Sequence, residues 1–214
     1  MPAAPVAARV AVVLTSALLI AACSSDDGSD DGGDAPRITD ATTWVATTPR
    51  ALAYLASEHV GVPSSAQPET DGAEEVGKEA VSVELNLPGP GRQVVVAVGQ
   101  GESPELRSCR TVGVDRSHCA ETDRGLLFWE EAALESDPGV IYVSVTKEAH
   151  EGRTVTVLVW SSGGETILDD PRQLDLQTDV DTLFDVAHDP AVGLTTPAFA
   201  ADAGKELEYF QSAP

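Results

Sequence analysis

Basic residues are scarce in this chain. The 214 residues include 13 Lys and Arg against 35 Asp and Glu, so the formal net charge is −22 with His neutral. A chain this acidic is repelled by nucleic-acid phosphates and by anionic lipid head groups, which excludes nucleic-acid binding through bulk charge. The hydrophobic fraction of 42% is nevertheless typical of a globular protein, and the length predicts one domain.

The motifs of common enzyme classes are also missing. No P-loop, G-x-G-x-x-G, G-x-S-x-G or H-E-x-x-H sequence occurs, and the four histidines lie far apart, at His59, His118, His150 and His188. The S-x-x-K tetrad Ser144–Lys147 ends a predicted strand without the K-T-G or S-D-N elements of penicillin-binding enzymes, so we interpret it as coincidence. The sequence therefore predicts no catalytic residue, metal site or cofactor. An exported hydrolase with His118 or His188 as the base remains an open alternative.

Long apolar runs are missing too, with one exception at residues 10–22, which follow a short segment containing Arg9. Thirteen helical residues span ~20 Å, which is too short for the ~30 Å membrane core but typical of a signal peptide. The run ends in the stretch Leu19-Ile20-Ala21-Ala22-Cys23. This stretch resembles the lipobox of bacterial membrane lipoproteins. The composition, with one Asn and three Lys, also resembles that of actinobacterial proteins.

The lipobox resemblance implies that Cys23 becomes the first residue of the mature protein and that its sulfur carries a diacylglyceryl group. Two acyl chains hold a protein stably at a membrane where one chain is marginal. The membrane is therefore the expected partner at Cys23, and the chain is expected at the outer face of the cell membrane. Ordinary secretion and an uncleaved signal anchor are the open alternatives.

Three regions follow from this interpretation: a signal peptide at 1–22, a lipidated cysteine with an acidic linker at 23–40, and one extracytoplasmic α+β domain at 41–214. The linker begins SSDDGSDDGGD and offers no apolar side chain there. Such a segment cannot offset the entropy of ordering and is expected to be a disordered tether. Its Asp residues lack the spacing of a calcium loop.

Periodicity in the domain predicts an α+β fold. Helical spacing between Thr48 and Gly61 predicts a helix over 49–60, and 62–78 is expected to be a polar loop. Alternating residues predict an antiparallel sheet of about five or six strands, with a helix before it and another after it. The predicted later elements are hairpins at 80–99 and 140–160, a strand at 126–130 and a helix at about 179–187, capped by Thr178 and Asp181.

The second and third cysteines, Cys109 and Cys119, are predicted to form a disulfide, because an exported domain is in an oxidising compartment. Metal ligation with His118 is the weaker alternative, since the spacing lacks the close C-x₂-C pair of zinc sites.

Basic residues cluster around these cysteines. Four of the mature chain's 12 basic residues lie within 18 positions, and a histidine joins them: Arg107, Arg110, Arg116, Arg124 and His118. An exposed patch for an anionic protein or ligand is one interpretation, since Arg suits carboxylates and phosphates. Pairing with the chain's own carboxylates is the other.

The aromatic residues Phe128, Trp129, Tyr142 and Trp160 fall on predicted strands, where core packing is expected and a sugar-binding platform is the alternative. The expected function is a lipid-anchored, non-enzymatic binding, sensing or interaction domain. The alternatives are the hydrolase and a capture protein for an apolar ligand.

Overall fold

The structure is a computed structural model. It describes residues 38–39, 42–113, 118–131, 139–162, 170–174, 176 and 178–211. The described residues belong to one compact unit, Pro36–Pro214. The predicted signal peptide, Cys23 and almost all of the predicted linker lie outside the described residues, as does Arg116.

The described elements are nine strands and four α-helices. In chain order they are β1 Trp44–Ala46, α1 Pro49–Val60, β2 Ser65–Pro68, α2 Asp71–Val76, β3 Lys78–Asn86, β4 Gln93–Gln100, β5 Cys119–Thr122, β6 Gly125–Glu130, β7 Val140–Glu148, β8 Thr154–Ser162, α3 Val180–His188, β9 Thr195–Pro197 and α4 Ala198–Lys205. Short 3₁₀ helices cover Pro104–Leu106, His150–Gly152 and Pro171–Gln173. None of the described helices is long and apolar enough to cross a membrane.

Seven strands form one antiparallel sheet in the order β2-β3-β4-β8-β7-β6-β5, and β1 pairs with β9 in a separate two-stranded sheet. The predicted hairpins are β3–β4, with Val83 opposite Val96, and β7–β8, with Val143 opposite Val159. The α+β prediction is confirmed, with helices before and after the sheet. The sheet has seven strands because β2 and β5 extend its two edges.

Helix α1 forms where its termini predict it. The Thr48 hydroxyl accepts a hydrogen bond from the Ala51 N–H at 3.2 Å, and Pro49 occupies the first turn. Gly61 ends the helix at a φ of +86°, which a residue with a side chain rarely adopts.

The sheet carries a core on each face. Side chains of one parity, such as Val83, Val96 and Val157, pack with Leu52 of α1 and Leu183 of α3. Residues of the other parity pack with α2, the disulfide and the 3₁₀ helix that follows β4; they include Ala97, Leu126, Phe128 and Leu158. Each fully buried aliphatic side chain contributes ~1.5–3 kcal/mol, so both layers stabilise the sheet.

The expectation of a loop over 62–78 is wrong, because β2 and α2 form there. Strand β2 is stabilised from both sides. Ala66 lies opposite Leu85 of β3, its N–H donates to the Tyr209 carbonyl at 3.0 Å, and its own carbonyl accepts from the Gln211 N–H at 2.7 Å. These partners come from distant parts of the chain, so the local pattern does not show them.

Helix α2 starts on a side chain that precedes it. The Glu69 carboxylate accepts from the N–H groups of Asp71 at 2.6 Å and Gly72 at 2.7 Å, and from the Ser82 hydroxyl at 3.0 Å. The end of α2 lies against β4 where Gly99 leaves no space, since a Cβ there would clash with the Val76 carbonyl. The helix is thus held by the sheet rather than by its own six residues.

Two further predictions need correction at the C-terminal side. Helix α3 is capped by Asp179, whose carboxylate accepts from the Thr182 N–H at 2.7 Å, and not by the predicted Thr178–Asp181 box. The Thr178 hydroxyl instead accepts from Arg92 at 3.2 Å. The tail beyond α3 is weakly patterned in sequence but forms β9 and α4.

Candidate functional site

The disulfide joins the edge strand β5 to the segment before it. Cys109 and Cys119 are bonded, with Cα atoms 5.6 Å apart, which confirms the predicted pairing. The Cys109 N–H also donates to the Glu121 carboxylate at 3.3 Å. Cys119 begins β5, and Cys109 follows the 3₁₀ helix Pro104–Leu106, so the bridge holds that segment against the sheet edge. We call residues 102–125 the bridged segment.

The arginines at the start of the predicted basic patch differ in their contacts. The Arg107 Nη2 lies 2.5 Å from the Glu102 Oε2, and both side chains are half exposed. Arg110 is exposed and makes no ion pair with a described residue. Arg116 lies outside the described residues.

Arg124, at the turn between β5 and β6, contacts helix α3. Its guanidinium donates to Asp181 at 3.1 Å and to Asp185 at 2.5 Å, and it lies 5.1 Å from the centre of the Phe184 ring. Its carbonyl oxygen lies 2.6 Å from the His188 Nε2. The side chain thus fixes the hairpin tip to the helix.

His118 pairs with a carboxylate at the other end of β5. Its Nε2 lies 2.9 Å from the Glu131 Oε1, and its ring meets the Trp129 ring edge to face at 5.8 Å between centres. Arg107, Arg124 and His118 therefore each have an acidic partner within the chain. The anionic partner at residues 107–124 stays a prediction, and such a partner would have to compete with these carboxylates.

The described residues form four open clefts of about 410 to 460 Å³, and every one of the four borders the bridged segment. Each cleft also includes charged side chains. None of the four is closed and apolar, so they give no support to capture of an apolar ligand.

The largest of these clefts lies beside β5, and we call it the His118 cleft. It measures about 460 Å³ and is lined by His118, Cys119, Ala120, Trp129, Glu131, Asp170 and Arg172. The Arg172 guanidinium donates to the Asp170 carboxylate at 2.5 to 3.1 Å and lowers the pKa of that carboxyl. The Trp129 side chain is 5% exposed, and its Nε1–H has no hydrogen-bond partner among the described residues.

A second cleft is acidic. It contains Glu75, Glu105 and Glu130 beside Tyr142 and Phe128, whose rings stack 4.7 Å apart. Burial raises the pKa of Glu75, and the charges of Glu105 and Glu130 raise it further. Burial, with the neighbouring carboxylates, raises the pKa of Tyr142 to about 12. No group of three or more His, Cys, Asp or Glu within the described ranges is arranged to hold a metal ion.

The histidines do not form a hydrolytic site with the described residues. His59 Nε2 lies 2.9 Å from the Asp189 Oδ2, and the His150 ring stacks on Trp44 with centres 4.2 Å apart. His118 contacts Glu131, and His188 contacts a backbone carbonyl. No described Ser, Thr or Cys side chain hydrogen-bonds to any of these rings, so the hydrolase alternative gains no support here.

The Ser144 and Lys147 side chains of the S-x-x-K tetrad point to opposite faces of the sheet, since they are three positions apart on β7. Ser144 lies between Leu126 and Leu158, whereas the Lys147 Nζ donates to the Asp189 carbonyl at 2.6 Å on the helical face. They cannot act together on one substrate.

Sequence reasoning missed Glu131, Asp170 and Arg172 as neighbours of His118 and Trp129. No spacing brings residue 172 close to residue 118, since the contact depends on how the segment before α3 returns to the sheet edge. The available signal was the alternation of β6, which places Trp129 opposite the residue before Cys119.

Comparisons with protein-family models, with curated proteins and with solved structures found no match.

Proposed function

We propose that this protein is a lipid-anchored, non-enzymatic binding domain at the outer face of a bacterial cell membrane. The distribution of its three cysteines carries the proposal. Cys23 ends the apolar run in a lipobox-like stretch, and Cys109 and Cys119 form a disulfide. Disulfides persist in oxidising compartments outside the cytoplasm, so the bridge supports export independently of the leader.

The bridged segment is the proposed binding face. Four open clefts border it, and the disulfide, together with the contacts of Arg124 to α3, holds it in place. A rigid surface loses less conformational entropy when a partner binds, which favours recognition over flexible display.

The anchor is tested with Cys23→Ala in the full-length chain, expressed in a bacterium that processes lipoproteins. The wild-type protein is expected to partition into the detergent phase and to begin, by mass spectrometry, at a diacylated Cys23. The variant is expected to remain an unprocessed precursor without the lipid mass.

Cys109→Ser is the matched control, because it removes a cysteine that the proposal does not assign to the lipid. It should be lipidated like the wild type. A wild-type N-terminus at any residue other than an acylated Cys23 would refute the anchor.

A further inference from the structure

We propose that the His118 cleft binds a saccharide, meaning a neutral ligand rich in hydroxyl groups, and that Trp129 donates a hydrogen bond to it. This inference rests on the proposed function, since it names the ligand class of the proposed binding face. It is argued from three properties of the cleft: an unpartnered donor, balanced charge and the mixture of donors and acceptors along the walls.

The unpartnered donor is the indole of Trp129. The side chain lines the cleft and is 5% exposed, and its Nε1–H has no acceptor among the described residues. An indole can only donate, and a buried N–H without an acceptor destabilises a fold. A ligand oxygen in the cleft would supply the missing acceptor.

The charges of the cleft are balanced. His118 lies 2.9 Å from the Glu131 carboxylate, and Arg172 donates to Asp170. An anionic ligand would have to displace carboxylates and approach a strongly acidic protein, and a cationic ligand would meet Arg172 and His118. The cleft is therefore best suited to a neutral ligand.

The walls offer donors and acceptors side by side. Ion-paired guanidinium, imidazole and carboxylate groups can donate to and accept from neighbouring hydroxyls, and the rings of Trp129 and His118 add apolar surface. A sugar ring presents both kinds of surface, with hydroxyls at its edge and C–H groups on its faces. The volume of about 460 Å³ lies within the ~300–1,000 Å³ range of small-molecule sites.

The test follows the indole N–H resonances by NMR in the full-length exported protein, held in a detergent without sugar head groups. The probes are chitotriose and cellobiose, with inorganic phosphate as an anionic comparison. We expect the Trp129 resonance to shift saturably with at least one saccharide, while the Trp44 resonance stays in place because Trp44 stacks on His150.

Two variants assign the effect to the cleft. Trp129→Phe keeps a ring and removes the donor, and Arg172→Ala changes a half-exposed side chain whose loss should not unfold the domain. Each is expected to weaken saccharide binding about tenfold, as for the loss of one good hydrogen bond. Trp44→Phe is the control and should bind like the wild type.

The inference is overturned if neither saccharide moves the Trp129 resonance, or if both cleft variants bind as tightly as the wild type. A shift with phosphate alone would also overturn it and would favour the anionic partner instead. None of these results touches the anchor, which fails only if Cys23 carries no lipid, so the two failures are distinguishable.

Discussion

At the scale of single residues, the most connected polar group is Asp189 at the end of α3. Its carboxylate pairs with His59, and its carbonyl accepts from Lys147, whose pKa burial lowers to about 8. Burial alone would raise the pKa of Asp189, but hydrogen bonds from His59 and the Ala191 N–H lower it overall. One residue thus joins α1, α3 and β7.

This geometry predicts the titration of His59. The hydrogen bond to Asp189 raises the pKa of His59 above its ordinary value of 6.5, although partial burial opposes the shift. A raised pKa in the folded state means that the pair stabilises the fold fully below pH 6.5, and that this stabilisation is lost as the pH rises through the folded-state pKa. NMR titration of the His59 ring should give a midpoint above 6.5, and the midpoint should fall in Asp189→Asn. A wild-type midpoint at or below 6.5 would contradict the pairing.

At the scale of elements, helix starts depend on which of several polar side chains wins the cap. Thr178, Asp179 and Asp181 all have suitable chemistry. Asp179 caps α3, because Thr178 accepts from Arg92 and Asp181 accepts from Arg124. The competition is decided by two arginines that reach this helix from other parts of the chain.

The cap predicts an ordered pair of stability losses. Asp179→Ala should lower the free energy of unfolding by ~0.5–2 kcal/mol, the usual cost of losing an N-cap. Asp181→Ala should cost less, because its exposed ion pair is worth ~0–1 kcal/mol. Urea denaturation compares the two, with Asp179→Asn as a control that keeps an acceptor. Equal losses in the two alanine variants would argue against the cap.

At the scale of the whole molecule, both edges of the seven-stranded sheet are attached to other parts of the chain. Residues 209–211 hydrogen-bond to β2 at one edge, and the disulfide attaches the bridged segment to β5 at the other. Open sheet edges invite pairing with other chains, so both attachments limit aggregation as well as stabilising the domain.

The disulfide predicts a global effect. Closing so short a loop stabilises a fold by ~2–3 kcal/mol, so Cys109→Ser should lower the melting temperature by several degrees at ~2–4 °C per kcal/mol. The double variant Cys109→Ser with Cys119→Ser should lose about as much as the single one, since the bond acts as a unit. Two free thiols in the purified exported protein would contradict the bridge.

The predictable part of the fold consisted of elements that carry their own signals. Helix α1 has its cap, its proline and its terminating glycine within 14 residues, and the hairpins β3–β4 and β7–β8 alternate over nine or eight residues a strand. The cysteine pairing was likewise predictable, because an exported domain favours a bridge. The predicted lipid on Cys23 depends on sequence alone and stays a prediction.

The sequence by itself determined the long periodic elements, the acidic balance and the distribution of the cysteines, because each of these depends on residues that are neighbours in the chain. Tertiary structure alone decided that α2 and β2 form, that Asp179 caps α3, and that Arg172 meets Trp129 beside β5. Short elements and mixed clefts gain their stability from partners far away in sequence, and local periodicity contains no information about those partners.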